Sequence, residues 1–399
     1  MMAVRLILQS DWNTALRHNE GHAWISCKTV SCGGNEETGA CPSTQGELIS
    51  HGISNNGVPY VVGSEGFSVE QITKNSIVIS HLDKDITTQF FAPQTIFSDI
   101  HSQSIVGLDV SPAGALAVSA GMDGLLRIWE TDTGIIRREL SGHLGDVNCC
   151  SFFPSGLVVL SGGSDLQLKI WSVEDGSCPV TLRGHTAAIL GIAIVDKGRN
   201  VVSCSRDGSA RLWDCGTATC LGVLHQGNSP INACAVGVAH ESVNLEVPDI
   251  IPSDREVETG AKLLLLACEN GVLLGIGLQS RKETFCVEHE TAFNCCQFLS
   301  KTLIAAGSQD GKIFIVDIRD PRNSFKIYHK CNSSILCLYK HKDGILAGCG
   351  DGTCFYLNLN TEALEVLTGA DLDPINAVCV RNNTITTACR DKLIRVYNH

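Results

Sequence analysis

The chain has 399 residues, 44% of them apolar and 18% charged, with a formal net charge of −12. That composition supports a sizeable core, and no run of Lys or Arg is offered to nucleic acid or to an anionic membrane. A basic partner surface is the better electrostatic match.

The opening residues, MMAVRLILQSDW, hold a short apolar run without the small-residue cleavage site of a secretory leader. The expected location is therefore the cytoplasm, with the nucleus as a second compartment. The twenty cysteines are expected to be free thiols there. No C-x-x-C spacing occurs, so no metal site is assigned. Cys149–Cys150 and Cys295–Cys296 lie in the apolar runs NCCSFF and NCCQFL, where cysteine acts as a small hydrophobe.

Residues 1–85 read as an α/β or β extension, either a small appended domain or an ordered arm against the main body. SDWNTALRHNE, 10–20, predicts a short helix capped by Ser10. Residues 31–47, rich in Gly, Ser, Thr and Glu, predict a mobile loop. VPYVVGSEGFSVEQI and SIVISHL alternate as strands do.

From residue 86 the chain repeats. MDGLLRIWE, SDLQLKIWS and SRDGSARLWD place Asp123, Asp165 and Asp207, and likewise Trp129, Trp171 and Trp213, at intervals of 42 residues. The turn recurs as ENG at 269–271, QDG at 309–311, GDG at 350–352 and RDK at 390–392. Asp-Gly between apolar strands is a hairpin signal, because Gly accepts the positive φ of a tight turn. Each unit reads as four short strands, so seven units predict an all-β fold, a seven-bladed β-propeller. LLLLACENGVLLGIGL, 263–278, is too short and too interrupted to span a membrane and reads as a buried hairpin.

A His precedes the first strand of the first three units, and Ser, Asp and Trp follow at fixed offsets. The sets are His101, Ser119, Asp123, Trp129; His143, Ser161, Asp165, Trp171; and His185, Ser203, Asp207, Trp213. Ser, His and Asp together suggest a hydrolase triad, but a catalytic site is needed once and this set occurs three times. The pattern resembles the WD-repeat family, which implies that each set is a hydrogen-bonded structural network. The last four units lose parts of it. His329 and Asp351 remain in one, with Ala347 and Leu357 replacing Ser and Trp; Gly369, Thr387, Asp391 and Tyr397 stand in the last. Plain apolar contact is expected to hold that half.

The seventh unit reaches Tyr397 with no residues left for a fourth strand. TTQFFAPQTIFSD, 87–99, is expected to supply it and clasp the ring, leaving no open edge and a monomer. The acidic stretch 239–260, between the first and second strands of the fourth unit, is expected to be a solvated loop.

No nucleophile–base pair lies outside the repeated sets, and no phosphate loop or zinc motif is present. Catalytic residues, cofactors and metals are therefore assigned to none, and an interaction scaffold is the expected class. Its surface is the face where the hairpin turns meet the loops leading into each first strand. Candidates before the turns are Met122, Ser164, Arg206, Glu269, Gln309, Gly350 and Arg390; the leading loops add Asp146, Glu290, Asp371 and Asp373.

Non-repeating stretches are more specific. QSDWNTAL, GHAWISC, SEGFSVEQITKNSIVIS, DVNCCSFFPSGLVVLSGG, AIVDKGRNVVSCSRDGSARLWDCG, AFNCCQFLS and LTGADLDP resemble the proteasomal ATPase-associated factor family across nearly the whole length. The resemblance implies a chaperone of regulatory-particle assembly. It would hold a base ATPase subunit by its C-terminal domain and keep it from docking early on the core particle. It also implies contact through an acidic part of the top face. A second reading, a substrate receptor of a cullin-type ubiquitin ligase, rests on the single Asp-x-Arg box Asp317-Ile318-Arg319.

Overall fold

A computed structural model describes residues 3–30, 43–64, 66–249 and 251–399. From Ile105 onward each repeat lays down one antiparallel sheet. Blade one comprises Ile105–Val110, Leu116–Gly121, Leu126–Glu130 and Ile136–Leu140. Blades two to seven begin at Val147, Ile189, Ile231, Phe293, Ile335 and Ile375. The first strands lie side by side around a central axis, and that of blade seven meets that of blade one. The protein is a seven-bladed WD-repeat β-propeller.

The turn chemistry explains the regularity. The residue after each turn Asp or Asn adopts positive φ in all seven blades: Gly124, Leu166, Gly208, Gly271, Gly311, Gly352 and Lys392. Glycine fills five of these positions because a side chain strains the left-handed backbone. At Gly271 it would also meet backbone, since a Cβ there would lie 2.1 Å from the His289 carbonyl oxygen. The apolar run 263–278 forms the hairpin Lys262–Cys268 and Val272–Gly277. No helix among the described residues is long and apolar enough to cross a membrane.

The stretch 87–99 is two strands rather than one. Thr95–Phe97 pairs antiparallel with Ile394–Asn398 as the fourth strand of blade seven. Ile86–Phe91 instead runs parallel to Leu364–Leu367 of blade six, with Val366 opposite Phe90. Pro93 separates the two, where a missing N–H and a fixed φ interrupt pairing.

Ile86–Phe91 ties the extension to the ring. With Ser76–His81 and Phe67–Ile72 it lengthens the sheet of blade six to seven strands. Ala3–Leu8, His22–Val30, Thr44–Ile53 and Pro59–Gly63 form a separate sheet. Leu6, Trp12, Leu16, Ile25 and Leu48 share one apolar core with Phe90, Ile345, Phe355 and Val366. The Trp12 indole donates to Thr368 Oγ1 at 3.0 Å, and Arg5 donates to Thr353 Oγ1 at 2.9 Å.

The helix is shorter than 10–20. It spans Trp12–Ala15, preceded by Asp11, and no side chain caps it, so Ser10 does not have that role. Gly21 ends the segment in close contact: a Cβ there would lie 2.0 Å from the Ala15 carbonyl oxygen. Of the loop expected at 31–47, residues 31–42 lie outside the described residues, and Thr44–Glu47 belong to a strand.

Most of the described residues of the insertion at 239–260 are exposed, and the loop is also pinned to the ring. Asn200 of blade three, fully buried, donates to the Arg255 carbonyl at 3.0 Å and accepts from the Val257 amide at 2.7 Å. Arg281 Nη2 lies 2.6 Å from Glu256 Oε1. Its acidic composition hid these anchors, because the bonds come from residues distant in sequence.

Trp12→Ala is expected to lower unfolding free energy by about 3–5 kcal/mol, the range for a large buried aromatic. Denaturant titration of the full chain checks this; a loss below about 1 kcal/mol, within the range of surface substitutions, would show that the extension does not brace the ring.

Candidate functional site

The three complete tetrads form as networks. His143 Nδ1 lies 2.9 Å from Asp165, His143 Nε2 2.7 Å from Ser161 Oγ, and the Trp171 indole donates to the same Oγ at 2.8 Å. The corresponding distances in blade three are 2.8, 2.6 and 2.8 Å. In blade one they are 3.2, 2.8 and 3.1 Å, and Arg127 joins Asp123 at 2.7 Å. In blades two and three one proton assignment satisfies every atom: Nδ1–H donates to carboxylate, serine O–H to Nε2, and indole N–H to the serine oxygen. Each serine is fully buried with both neighbours engaged, so none is presented to a substrate.

Burial is the main cause that lowers the affinity of His101, His143 and His185 for a proton, against their aspartates. Asp207 shows the complementary balance. Burial pushes it up, but bonds from Ser209, the Thr186 amide and His185 hold it well below the usual carboxylate range.

Blades four to seven depart from the tetrad in different ways. The strand Lys262–Cys268 of blade four is buried throughout, so apolar contact suffices there. Blade five keeps a polar set that the strict spacing missed. His289 reaches Asp310 through Nε2 at 3.1 Å, and Ser308 and Thr291 join the same carboxylate. His289 stands one residue nearer its Asp than the other histidines do, and a search allowing that shift would find it. The pairing of His329 with Asp351 does not form. His329 ends the fourth strand of blade five opposite Lys312, and its Nδ1 has no partner among the described residues. In blade seven Arg395 pairs with Asp391, and the Tyr397 hydroxyl donates to the Thr368 carbonyl at 2.7 Å. Plain apolar contact therefore does not account for that blade.

The candidate face is built by one repeated bond. The amide before each turn donates to a carbonyl just ahead of the blade's first strand: Met122 to Ser104, Ser164 to Asp146, Arg206 to Ala188, Glu269 to Pro230, Gln309 to Ala292, Gly350 to Ser334 and Arg390 to Pro374. The seven distances lie between 2.8 and 3.0 Å. Equivalent side chains are thus brought to one rim of the ring. Arg206, Glu269, Glu290, Gln309, Asp371 and Arg390 are exposed, and Asp146 and Asp373 are half-buried.

The structure separates these candidates. Asp373 is neutralised by Arg390 at 2.8 Å, and Gln309 accepts from Asn294 at 2.9 Å. Asp146, Glu269, Glu290 and Asp371 make no ion pair among the described residues, and neither does Arg206. Among these candidates four unpaired carboxylates stand against one unpaired guanidinium, while exposed Lys392 in the last turn adds a cation to the same rim. Leu372, beside Asp371, is 77% exposed.

An asparagine series also went unread in the sequence. Asn148, Asn232, Asn294 and Asn376 each donate across to the first-strand carbonyl of the next blade, at 2.7–3.0 Å. The signal was an Asn second in the first strand, as in VN, IN and FN. Every cysteine among the described residues is a free thiol, and no group of His, Cys, Asp and Glu there is placed to hold a metal.

Residues 93–130, 134–172 and 176–214 match the family described as WD domain, G-beta repeat. Over 396 residues the chain is 53% identical to proteasomal ATPase-associated factor 1 of Homo sapiens and 52% identical to that of Gallus gallus, covering 99% of each chain. A probable proteasomal ATPase-associated factor 1 of Dictyostelium discoideum is 35% identical across 98% of this chain and 95% of its own.

The histidine shifts set a pH dependence. A buried imidazole whose proton affinity is lowered on folding contributes fully above its ordinary value, about 6.5. That contribution is lost as pH falls, because the unfolded chain takes up the proton first. The melting temperature is expected to fall from pH 7.5 to pH 5.5, and less steeply in His185→Gln; a flat or rising profile would contradict the neutral-imidazole network.

Proposed function

Because the chain belongs to the proteasomal ATPase-associated factor 1 family, we propose that it is a non-enzymatic binding protein for proteasomal ATPases, acting through the acidic rim. The observation that carries this reading is the set of unpaired carboxylates, Asp146, Glu269, Glu290 and Asp371, on the rim made by the seven turn-to-loop bonds. Carboxylates without local partners attract a basic surface and steer its approach, and exposed Leu372 adds an apolar contact beside them.

The occupant proposed is the C-terminal domain of a base ATPase subunit. A rigid ring seated there acts sterically: it keeps the ATPase module off the core particle until released. ATP chemistry stays with the partner, and this chain contributes shape and charge. Arg319 folds onto Asp317 of its own strand end, with Nε 2.9 Å from Oδ1, so the Asp-x-Arg box is engaged internally and nothing favours the ligase-receptor reading.

Titration of purified base ATPase C-terminal domains against the full chain tests the proposal. Asp371→Lys with Glu290→Lys is expected to weaken binding by about tenfold or more, mainly through lost charge complementarity, at an unchanged melting temperature. Equal affinity in the variant would remove the rim from the account, and no binding by the parent protein would remove the partner.

A further inference from the structure

We propose that Cys331 and Cys349 are a modification site, forming a disulfide when the protein meets a two-electron oxidant of the peroxide class. The two sulfurs lie 3.5 Å apart, and both residues are fully buried. Cys331 sits in the loop between Phe325–His329 and Ile335–His341, and Cys349 ends the second strand of blade six. Three other buried thiols turn to backbone carbonyls: Cys150 to Val118, Cys295 to Ile335 and Cys389 to Asp373. Here the two sulfurs also neighbour each other, although Cys331 Sγ lies 3.2 Å from the Ser333 carbonyl oxygen as well. Closing the gap to a bond of about 2.05 Å requires the two sulfurs to move together.

The chemistry balances without a further reagent. The Cys331 sulfur attacks one peroxide oxygen, the O–O bond breaks, and a sulfenic acid and water result. The Cys349 sulfur then attacks the sulfenic sulfur, the S–S bond forms, and a second water leaves with the thiol proton. Two thiols are oxidised and one peroxide is reduced to two waters. The hydrogen bond from Cys349 holds the Cys331 thiol below its ordinary value, against the opposing effect of burial. That favours Cys331 as the first nucleophile. A cleft of about 290 Å³, lined by Arg5, Trp24, Asp351, Thr353 and Leu372, reaches the turn two residues beyond Cys349, and neither sulfur lines it.

The bond would have a structural consequence. Gly350 follows Cys349 and donates its amide to Ser334 at 2.9 Å, in the same loop as Cys331. The turn beyond it carries Thr353, where Arg5 of the extension docks. A disulfide there staples the leading loop of blade six to the turn and to the extension's seat.

The test treats the purified full chain with hydrogen peroxide, blocks remaining thiols, and maps peptides without reduction. A linked Cys331–Cys349 peptide is expected, with a melting temperature raised by about 2 °C or more, as closing a loop in the unfolded chain predicts. Both effects should reverse with dithiothreitol, and Cys331→Ser should show neither. Recovery of both thiols unmodified while exposed Cys220 is oxidised would overturn the proposal, as would their linkage to other cysteines. The peptide map of the unaltered protein decides the matter even where a serine variant does not fold.

Discussion

The bond between the amide before each hairpin turn and the carbonyl ahead of the first strand fixes where every rim residue stands. It recurs in all seven blades at nearly one distance, although the residues that donate it range from Gly350 to Arg390. Being backbone to backbone, it tolerates any donor residue except proline, which has no N–H. The side chains at that position are therefore free to vary while their placement is not. A rigid rim with freely chosen chemistry is a natural support for a binding surface, since residues held by a scaffold lose little freedom when a partner arrives.

Polar networks reinforce that bond where the sequence supplies them. Tetrads do so in blades one to three, and His289, Ser308 and Thr291 converge on Asp310 in blade five. The extension takes over at blades six and seven. Thr368 receives the Trp12 indole, and its carbonyl accepts from Tyr397, so one residue joins the N-terminal segment to the last blade. The parallel pairing of Ile86–Phe91 with Leu364–Leu367 covers an edge that an ordinary blade leaves open. The ring is closed by its N-terminal part in two adjacent blades, through strands separated by Pro93.

Much of this was legible in the residues, for identifiable reasons. Asp-Gly turns and the Trp interval are local signals repeated many times, so the propeller and the rim positions could be read from spacing. The parallel strand could not be, because its partner lies 276 residues away in sequence, as Val366 does from Phe90. The anchoring of 239–260 depends on Asn200, which reads locally as an ordinary strand residue. His329 misled because it kept the expected spacing while its strand register points it elsewhere. On the rim, spacing placed the candidates together but could not separate Asp373, which Arg390 neutralises, from Asp371, which stays unpaired. Charge becomes informative only once its partners are known.

On the proposed reading, the partner sits on the rim where turns meet leading loops. The most direct measurement places a photo-crosslinking amino acid at Gln309 on that rim, and separately at Leu157 in the loop between the first two strands of blade two. Each full-length protein is then irradiated with purified proteasomal base ATPases. Covalent capture from Gln309 and none from Leu157 is the predicted result. Capture from Leu157 alone, or a stable complex that Gln309 fails to crosslink, would place the partner elsewhere.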